Sequence, residues 1–343
     1  MYSESDIDGA VAAGAISRDT AVALRNHVAR ARLTPAVDEE HFRLLNGFND
    51  IFVTIAITLL LVAVAQIGAS VTEALGGVAV AVTSWLLAEY FTRQRRMALP
   101  SIALLLGFVG GVAGALIGLL ASINPDLADR VDALIAAGIA LVTAGSAWLH
   151  WRRFQVPITV AAGAVALVGV VAALVLAAIP VAKDAIYPIL LVAGLGVFAL
   201  AMRWDMSDPT RETRRADVAF WLHLAAAPLI AHPVFQMLGV LDADVGIGTA
   251  IVVVALYLVF AFVALAVDRR ALLVSSLAYV LAALYAVIRS AGAVDLGVAI
   301  AALIIGSALL VLSAFWHPMR RAVIGTLGDL GNRLPPVQTV LPA

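Results

Sequence analysis

The chain has 343 residues, of which 63% are apolar and only 13% charged, with a net charge of −1 and no cysteine. A soluble domain carries about a quarter charged residues, so this composition excludes an ordinary soluble globule. The net charge says nothing about nucleic acid, and there is no thiol for disulfides, nucleophiles or metal–sulfur centres.

The first residues, Met1 to Asp6, are acidic and polar and lack the basic and apolar regions of a cleaved signal peptide. Membrane targeting is therefore expected from the first span. Ser5 or Asp6 can cap a short helix carrying Ile7 and Val11, and Gly14 suits the left-handed residue that ends a helix. Ser17 caps a second helix through Arg32, with Ala21, Leu24 and Val28 on one stripe. Pro35 breaks it, and Asp38-Glu39-Glu40 opens a linker helix with acids at its positive end. Residues 1–48 are thus expected to form a cytoplasmic helical hairpin and linker helix.

From 49 to 316 the chain is a series of charge-free apolar intervals. A bilayer core about 30 Å thick needs roughly 20 apolar residues of helix. Ten intervals satisfy this: 51–68, 71–91, 100–121, 131–150, 156–178, 185–203, 216–238, 246–267, 271–289 and 294–316. Period-2 alternation is absent, and helices satisfy their own backbone in lipid. The expected fold class is therefore all-α, a polytopic membrane protein of about ten spans. Of the Lys and Arg residues, 19 fall in the terminal regions and even loops and only 3 in the odd loops. The positive-inside rule then places both termini in the cytoplasm. All six tryptophans, Trp85, Trp148, Trp151, Trp204, Trp221 and Trp316, lie toward the same side, as an interfacial belt would. The tail, 317–343, contains Pro335, Pro336 and Pro342 and is expected to be disordered.

The segment Ala13-Gly14-Ala15-Ile16-Ser17, with Thr20, Ala21 and Leu24, resembles the start of a group of bacterial predicted integral membrane proteins. These open with a short "G-[IL]-[IL]-S-x-x-x-A" hairpin before many spans. The resemblance implies a bacterial inner-membrane location and no activity or site residue.

Span seven is the most unusual segment. Pro228 and Pro233 free the carbonyls of Leu224 and Leu229, so a kink or partial unwinding is expected near mid-membrane. His223, His232 and Gln236 lie in the same stretch, and polar groups at this depth mark an interior or a cavity. A proton relay is the natural functional role. The alternative is a kink whose histidines bond the freed carbonyls. The two histidines, nine residues apart, face opposite sides of a straight helix, so no metal site is expected.

Span two carries Glu89, expected to pair with Arg93, Arg95 or Arg96, and Glu73, which has no local partner and is the better functional candidate. Asn49-Asp50 reads as a cap at a helix start, and Asp217 as an interfacial partner of Arg214 and Arg215. Span three contains Gly110, Gly114 and Gly118 four apart, plus Gly107 and Gly111, a pattern that lets helices approach closely. The partner helix lies either in the same chain or in a second protomer of a homo-oligomer. The repeat of Trp148-Leu-His150 in Trp221-Leu-His223 reads as belt composition.

The motifs of P-loops, zincins and serine hydrolases are missing, and Gly325, Gly328 and Gly331 have the wrong spacing for a dinucleotide loop. No cofactor is expected, and the bilayer is the expected partner, with no nucleic acid. Two functions compete: a small-solute or proton-coupled transporter with a small-molecule or proton ligand, and a non-transporting scaffold, sensor or assembly factor. A membrane-embedded enzyme ranks third for want of a polar cluster.

Overall fold

A computed structural model describes residues 4–32, 48–123, 128–179, 185–239 apart from 210 and 212, 247–270 and 310–334, with Ala182 and isolated positions between 273 and 308. The chain divides into two units, Met1–His41 and Phe42–Ala343. In the first, α1 (Glu4–Ala12) and α2 (Arg18–Arg32) form a hairpin. Gly14 ends α1 at φ +71°, and the Ser17 hydroxyl accepts from the Thr20 N–H at 3.0 Å. Arg25 reaches back to Asp8 at 2.6 Å, and Ala21 is buried. The linker helix expected from Asp38 lies outside the described residues.

The second unit is a helical membrane domain. Its helices are α3 (Phe48–Ala69), α4 (Glu73–Ala88), α5 (Ala98–Ile123), α6 (Asp129–Phe154), α7 (Ile158–Ala178), α8 (Ile186–Met206), α9 (Arg214–Met237), α10 (Ile247–Val267) and α11 (Trp316–Leu327). A π-helical turn, Glu89–Gln94, extends α4. The seven helices α3 to α9, with α4 counted through its extension, are long and apolar enough to cross a membrane. The expected ten are therefore not reached among the described residues. α10 is a further apolar helix, and the intervals 271–289 and 294–316 lie largely outside the described residues.

The tail departs from expectation. It continues as α11 and a 3-10 turn over Gly328–Arg333 rather than losing structure at 317. The reason is visible at its start: Trp316 and Arg320, one helical turn apart, are both buried. Residues 335–343 lie outside the described part.

Short turns make consecutive helices antiparallel neighbours. α4 packs most extensively on α5, α6 on α7 and α8 on α9, while α3 lies over α4 and α5, and α7 reaches α9. Within one bilayer, apolar burial does not separate helix–helix from helix–lipid contact, so close backbone approach has to hold the pairs. The glycines supply it. A Cβ at Gly111 would stand 2.6 Å from the Ala81 nitrogen, and one at Gly118 would stand 2.7 Å from that of Ala74. Gly77 abuts Ala115, Gly107 meets Ser84, and Gly76 faces Gly68 across the α3–α4 turn.

The glycine pattern of α5 is thus used within the chain, but at three of the five expected positions, Gly107, Gly111 and Gly118. The contact line on α4 runs through 107, 111, 115 and 118, whereas Gly110 and Gly114 meet nothing within 4 Å. A four-residue repeat of glycine does not say which of two adjacent stripes the partner covers. Leucine at 111 must therefore push α4 away, while leucine at 114 enters open space. Gly111→Leu is expected to destabilise the domain by about 3 kcal/mol or more and Gly114→Leu by less than about 1 kcal/mol. Thermal melting of the two purified variants in detergent checks this, and equal losses would refute the register.

Candidate functional site

The arginines converge on one end of the bundle. Arg93, Arg95 and Arg96 follow α4, Arg152 and Arg153 close α6, Arg214 and Arg215 open α9, and Arg269 and Arg270 follow α10. The non-glycine residues with positive φ, Arg96, Gln155, Arg211 and Asp268, all fall in the turns at this end. Left-handed backbone costs a non-glycine residue roughly 1–2 kcal/mol, so a side chain is being kept at that cost. Asp268 shows why.

Asp268 follows the last residue of α10, where a Schellman turn normally places glycine. The Arg269 N–H bonds the Ala264 carbonyl at 2.9 Å, which is the six-to-one bond of that motif. The carboxylate of Asp268 accepts from Arg211 Nη1 at 3.1 Å and from the Trp316 indole N–H at 2.6 Å. Arg320 Nε stands 3.5 Å away. Arg211 Nη2 also donates to the Asp268 carbonyl at 3.3 Å, and the Arg270 guanidinium lies over the Trp316 ring at 4.8 Å. Glycine would relax the backbone and leave these cations without their anion.

The next residue, Arg269, turns the other way and grips Asp205 at the end of α8. Its Nε donates to Oδ2 at 3.0 Å and its Nη2 to Oδ1, while Nη2 also reaches the Ala216 carbonyl at the start of α9 at 3.3 Å. His223 Nε2 lies 3.2 Å from the same carboxylate, and Phe198 meets the imidazole edge-on at 5.2 Å. Asp208 completes the set, accepting from the Thr213 N–H at 3.0 Å and from its hydroxyl at 2.7 Å. Asp205 and His223 are fully buried, and Asp208, Asp268, Arg269 and Arg320 are 5% exposed or less. Asp205 and Asp268 face three arginines, Arg211, Arg269 and Arg320, while Asp208 is held by Thr213. An isolated buried charge would be prohibitive, so the set is stable only as a whole. It ties the ends of α8, α9, α10 and α11 together. His223 Nδ1 has no partner among the described residues, leaving one proton-binding position facing the interior.

A second polar group closes the other half of this end. Glu89 binds Arg153 through both oxygens, at 2.6 and 2.9 Å, and Arg93 at 3.2 Å. Arg93 is one of the partners expected from sequence, whereas Arg153, the bidentate one, comes from a different helix. Beside it, His150 is fully buried among the rings of Trp85, Phe108 and Phe154 at 6.3, 5.9 and 4.6 Å. Its Nδ1 stands 3.3 Å from the Thr159 hydroxyl. The Trp-Leu-His repeat is therefore more than belt composition. Two residues turn a helix by about 200°, so the pattern points Trp148 outward, 59% exposed, and His150 inward. Asp50 does cap a helix start, though of α5 rather than α3, accepting from the Ala98 N–H at 3.3 Å.

The residues singled out from sequence are not brought together. α9 runs continuously from Arg214 to Met237 with Pro228 and Pro233 inside it, so the expected unwinding does not occur. Gly194 of α8 lies against the Leu229 peptide, whose carbonyl Pro233 releases. Pro228 is exposed and Pro233 buried. His232 is half-buried, 6.0 Å from the Tyr187 ring, and Gln236 is half-buried one turn later. His223 joins the ion cluster, about 13 Å along the axis from His232. Glu73 is exposed at the start of α4, next to the Thr72 cap, where a carboxylate suits the helix dipole. Asp205, Arg211, Asp268, Arg269 and Arg320 escaped sequence reasoning because their arginines were counted only for orientation. The available signal was an aspartate in each of those short arginine-bearing turns.

Removing one member of such a set leaves its partners charged and buried, at a cost of about 3–5 kcal/mol. Asp205→Ala and Asp268→Ala are expected to lose stability on that scale. Asp268→Gly regains about 1 kcal/mol of backbone strain, so melting temperatures should rank wild type above Asp268→Gly above Asp268→Ala. A glycine variant as stable as wild type would mean that strain outweighs the ion pairs.

No protein-family model, curated protein or solved structure matches the chain, so its functional reading rests on its own geometry.

Proposed function

We propose that this chain is a ten-span protein of the bacterial inner membrane, with both termini in the cytoplasm, acting as a non-transporting scaffold or sensor through its arginine-rich end. The observation that carries this reading is α9. The helix expected to break over a substrate is continuous and deeply packed, with 56% of its most apolar window buried. Ala226, Ala227, Ala231 and Phe235 are enclosed by neighbouring helices. The ion pairs of this domain lie at one end among the described residues, where the ion cluster holds four helix ends in a fixed arrangement. A fixed polar end on a packed bundle suits presentation of a surface to a partner.

The orientation follows from the positive-inside rule applied to that end. A reporter active only outside the cytoplasm should be active when fused after Asp126 or Asp242 and silent after Arg95, Arg211 or Ala343. Activity at two of the last three sites would reverse the orientation.

Transport of a small solute or proton is the second reading, favoured by His232 against Tyr187 with Gln236 one turn beyond. The two readings differ in whether α9 meets water. The chain has no cysteine, so single Cys variants have no background thiol. Cys at Ala227, Ile230 and Ala231 is expected to resist a membrane-impermeant thiol reagent from both sides. Labelling at any of these three would place an aqueous path along α9 and put transport first.

A further inference from the structure

At the arginine-rich end, a cleft of about 480 Å³ opens between the ends of α6 and α8 and the start of α9. Its walls carry Trp151 and Gln155 from α6, Trp204 from α8, and Thr213, Arg214 and Arg215 from the start of α9. Among the described residues no carboxylate lines it. Nearby Asp208 has its carboxylate turned onto Thr213, at 3.0 and 2.7 Å. Arg211 and Arg269 are taken up by Asp268 and Asp205. Arg214 instead bridges the cleft to a neutral acceptor, the Gln155 side-chain oxygen, at 2.6 Å. Gln155 holds this position in left-handed backbone at φ +52°.

From these features we infer that the cleft is a binding site for a phosphate-bearing anion. Guanidinium groups match phosphate oxygens in fork geometry, and a guanidinium held by a neutral amide keeps its full charge and its remaining donors. Gln155 thus orients Arg214 without neutralising it, which a carboxylate in its place would do. The two indoles place the cleft at headgroup depth, since Trp favours the membrane–water boundary. Phosphate reaches this depth either as the headgroup of an anionic lipid or as a soluble phosphate ester from the adjoining water, and the site chemistry is common to both. This inference stands apart from the scaffold reading, because it requires neither a protein partner nor a dry α9.

The test uses the full chain purified in neutral detergent, read by tryptophan fluorescence and by melting temperature. The probes are phosphatidylglycerol in mixed micelles, phosphatidylcholine in the same micelles, and glycerol 3-phosphate in solution. Phosphatidylglycerol is expected to give a saturable fluorescence change and a higher melting temperature, and phosphatidylcholine neither. A response to glycerol 3-phosphate as well identifies a soluble ester as sufficient, and a response to the lipid alone identifies the headgroup as the source. Arg214→Gln with Arg215→Gln, both at exposed positions, should weaken binding by about tenfold or more. Gln155→Glu should do the same by pairing with Arg214, while the remote Arg95→Gln with Arg96→Gln should not. Saturable binding absent from wild type, binding unchanged in the cleft variants, or equal loss in the remote variant would each overturn the inference.

Discussion

The membrane domain depends on one constraint: charge taken out of water at the end of a helix bundle has to be matched atom by atom. Asp205 and Asp268 sit where lipid-buried helices end, and neither carboxylate reaches solvent. Their matching arginines come from a turn, from the second residue after α10, and from α11. Because Arg269 and Asp268 are consecutive and point to different partners, the end of α10 is held from two sides. Arg269 secures it to α8 and α9, and Asp268 secures it to Arg211 and α11. Such a set gains little over an apolar core of equal volume. Its effect is to specify one arrangement of helix ends, because a shift that separates any pair strands a buried charge.

The remainder of the bundle works under the opposite condition. Along the spans there is almost no charge, and the lipid is as apolar as the side chains. Small residues replace hydrophobic driving force as the means of choosing neighbours. Gly68 against Gly76, Gly111 against Ala81 and Gly194 against Leu229 bring backbones close enough for dispersion contacts and weak Cα–H hydrogen bonds. The last of these bears on α9, where it covers a carbonyl that Pro233 leaves without a helical donor. A proline pair that would break an isolated helix sits here in a continuous helix with a neighbouring helix packed against that peptide.

These two regimes divide the molecule into a packed apolar length and a polar, arginine-rich end. The cleft of Trp151, Trp204, Arg214 and Arg215 belongs to the second. It differs from the ion cluster beside it in one respect: its bridging cation meets an amide rather than a carboxylate. In the cluster every cation is spent on structure, whereas in the cleft charge remains for a ligand.

What the sequence by itself determined was the class of the protein and the end of the bundle at which its arginines collect. Long charge-free intervals with arginines in alternate loops define helices, their approximate ends and the end at which charge collects, because both signals are local and repeat with every span. Gly14 and Ser17 could be placed at helix ends on the same local grounds. Only the tertiary structure decided which groups meet. Of the five glycines of α5 expected to pack, Gly107, Gly111 and Gly118 meet neighbouring helices and Gly110 and Gly114 do not. The polar residues of α9 were expected to share a broken mid-membrane site, but His223 joins aspartates from other segments and His232 does not follow it. The physical reason is the same in each case. Span formation depends on hydropathy summed over some twenty neighbouring residues, whereas pairing of Asp205 with Arg269, 64 residues away, depends on the rotation and depth of two separate helices. Those are fixed by contacts that no stretch of either helix encodes alone.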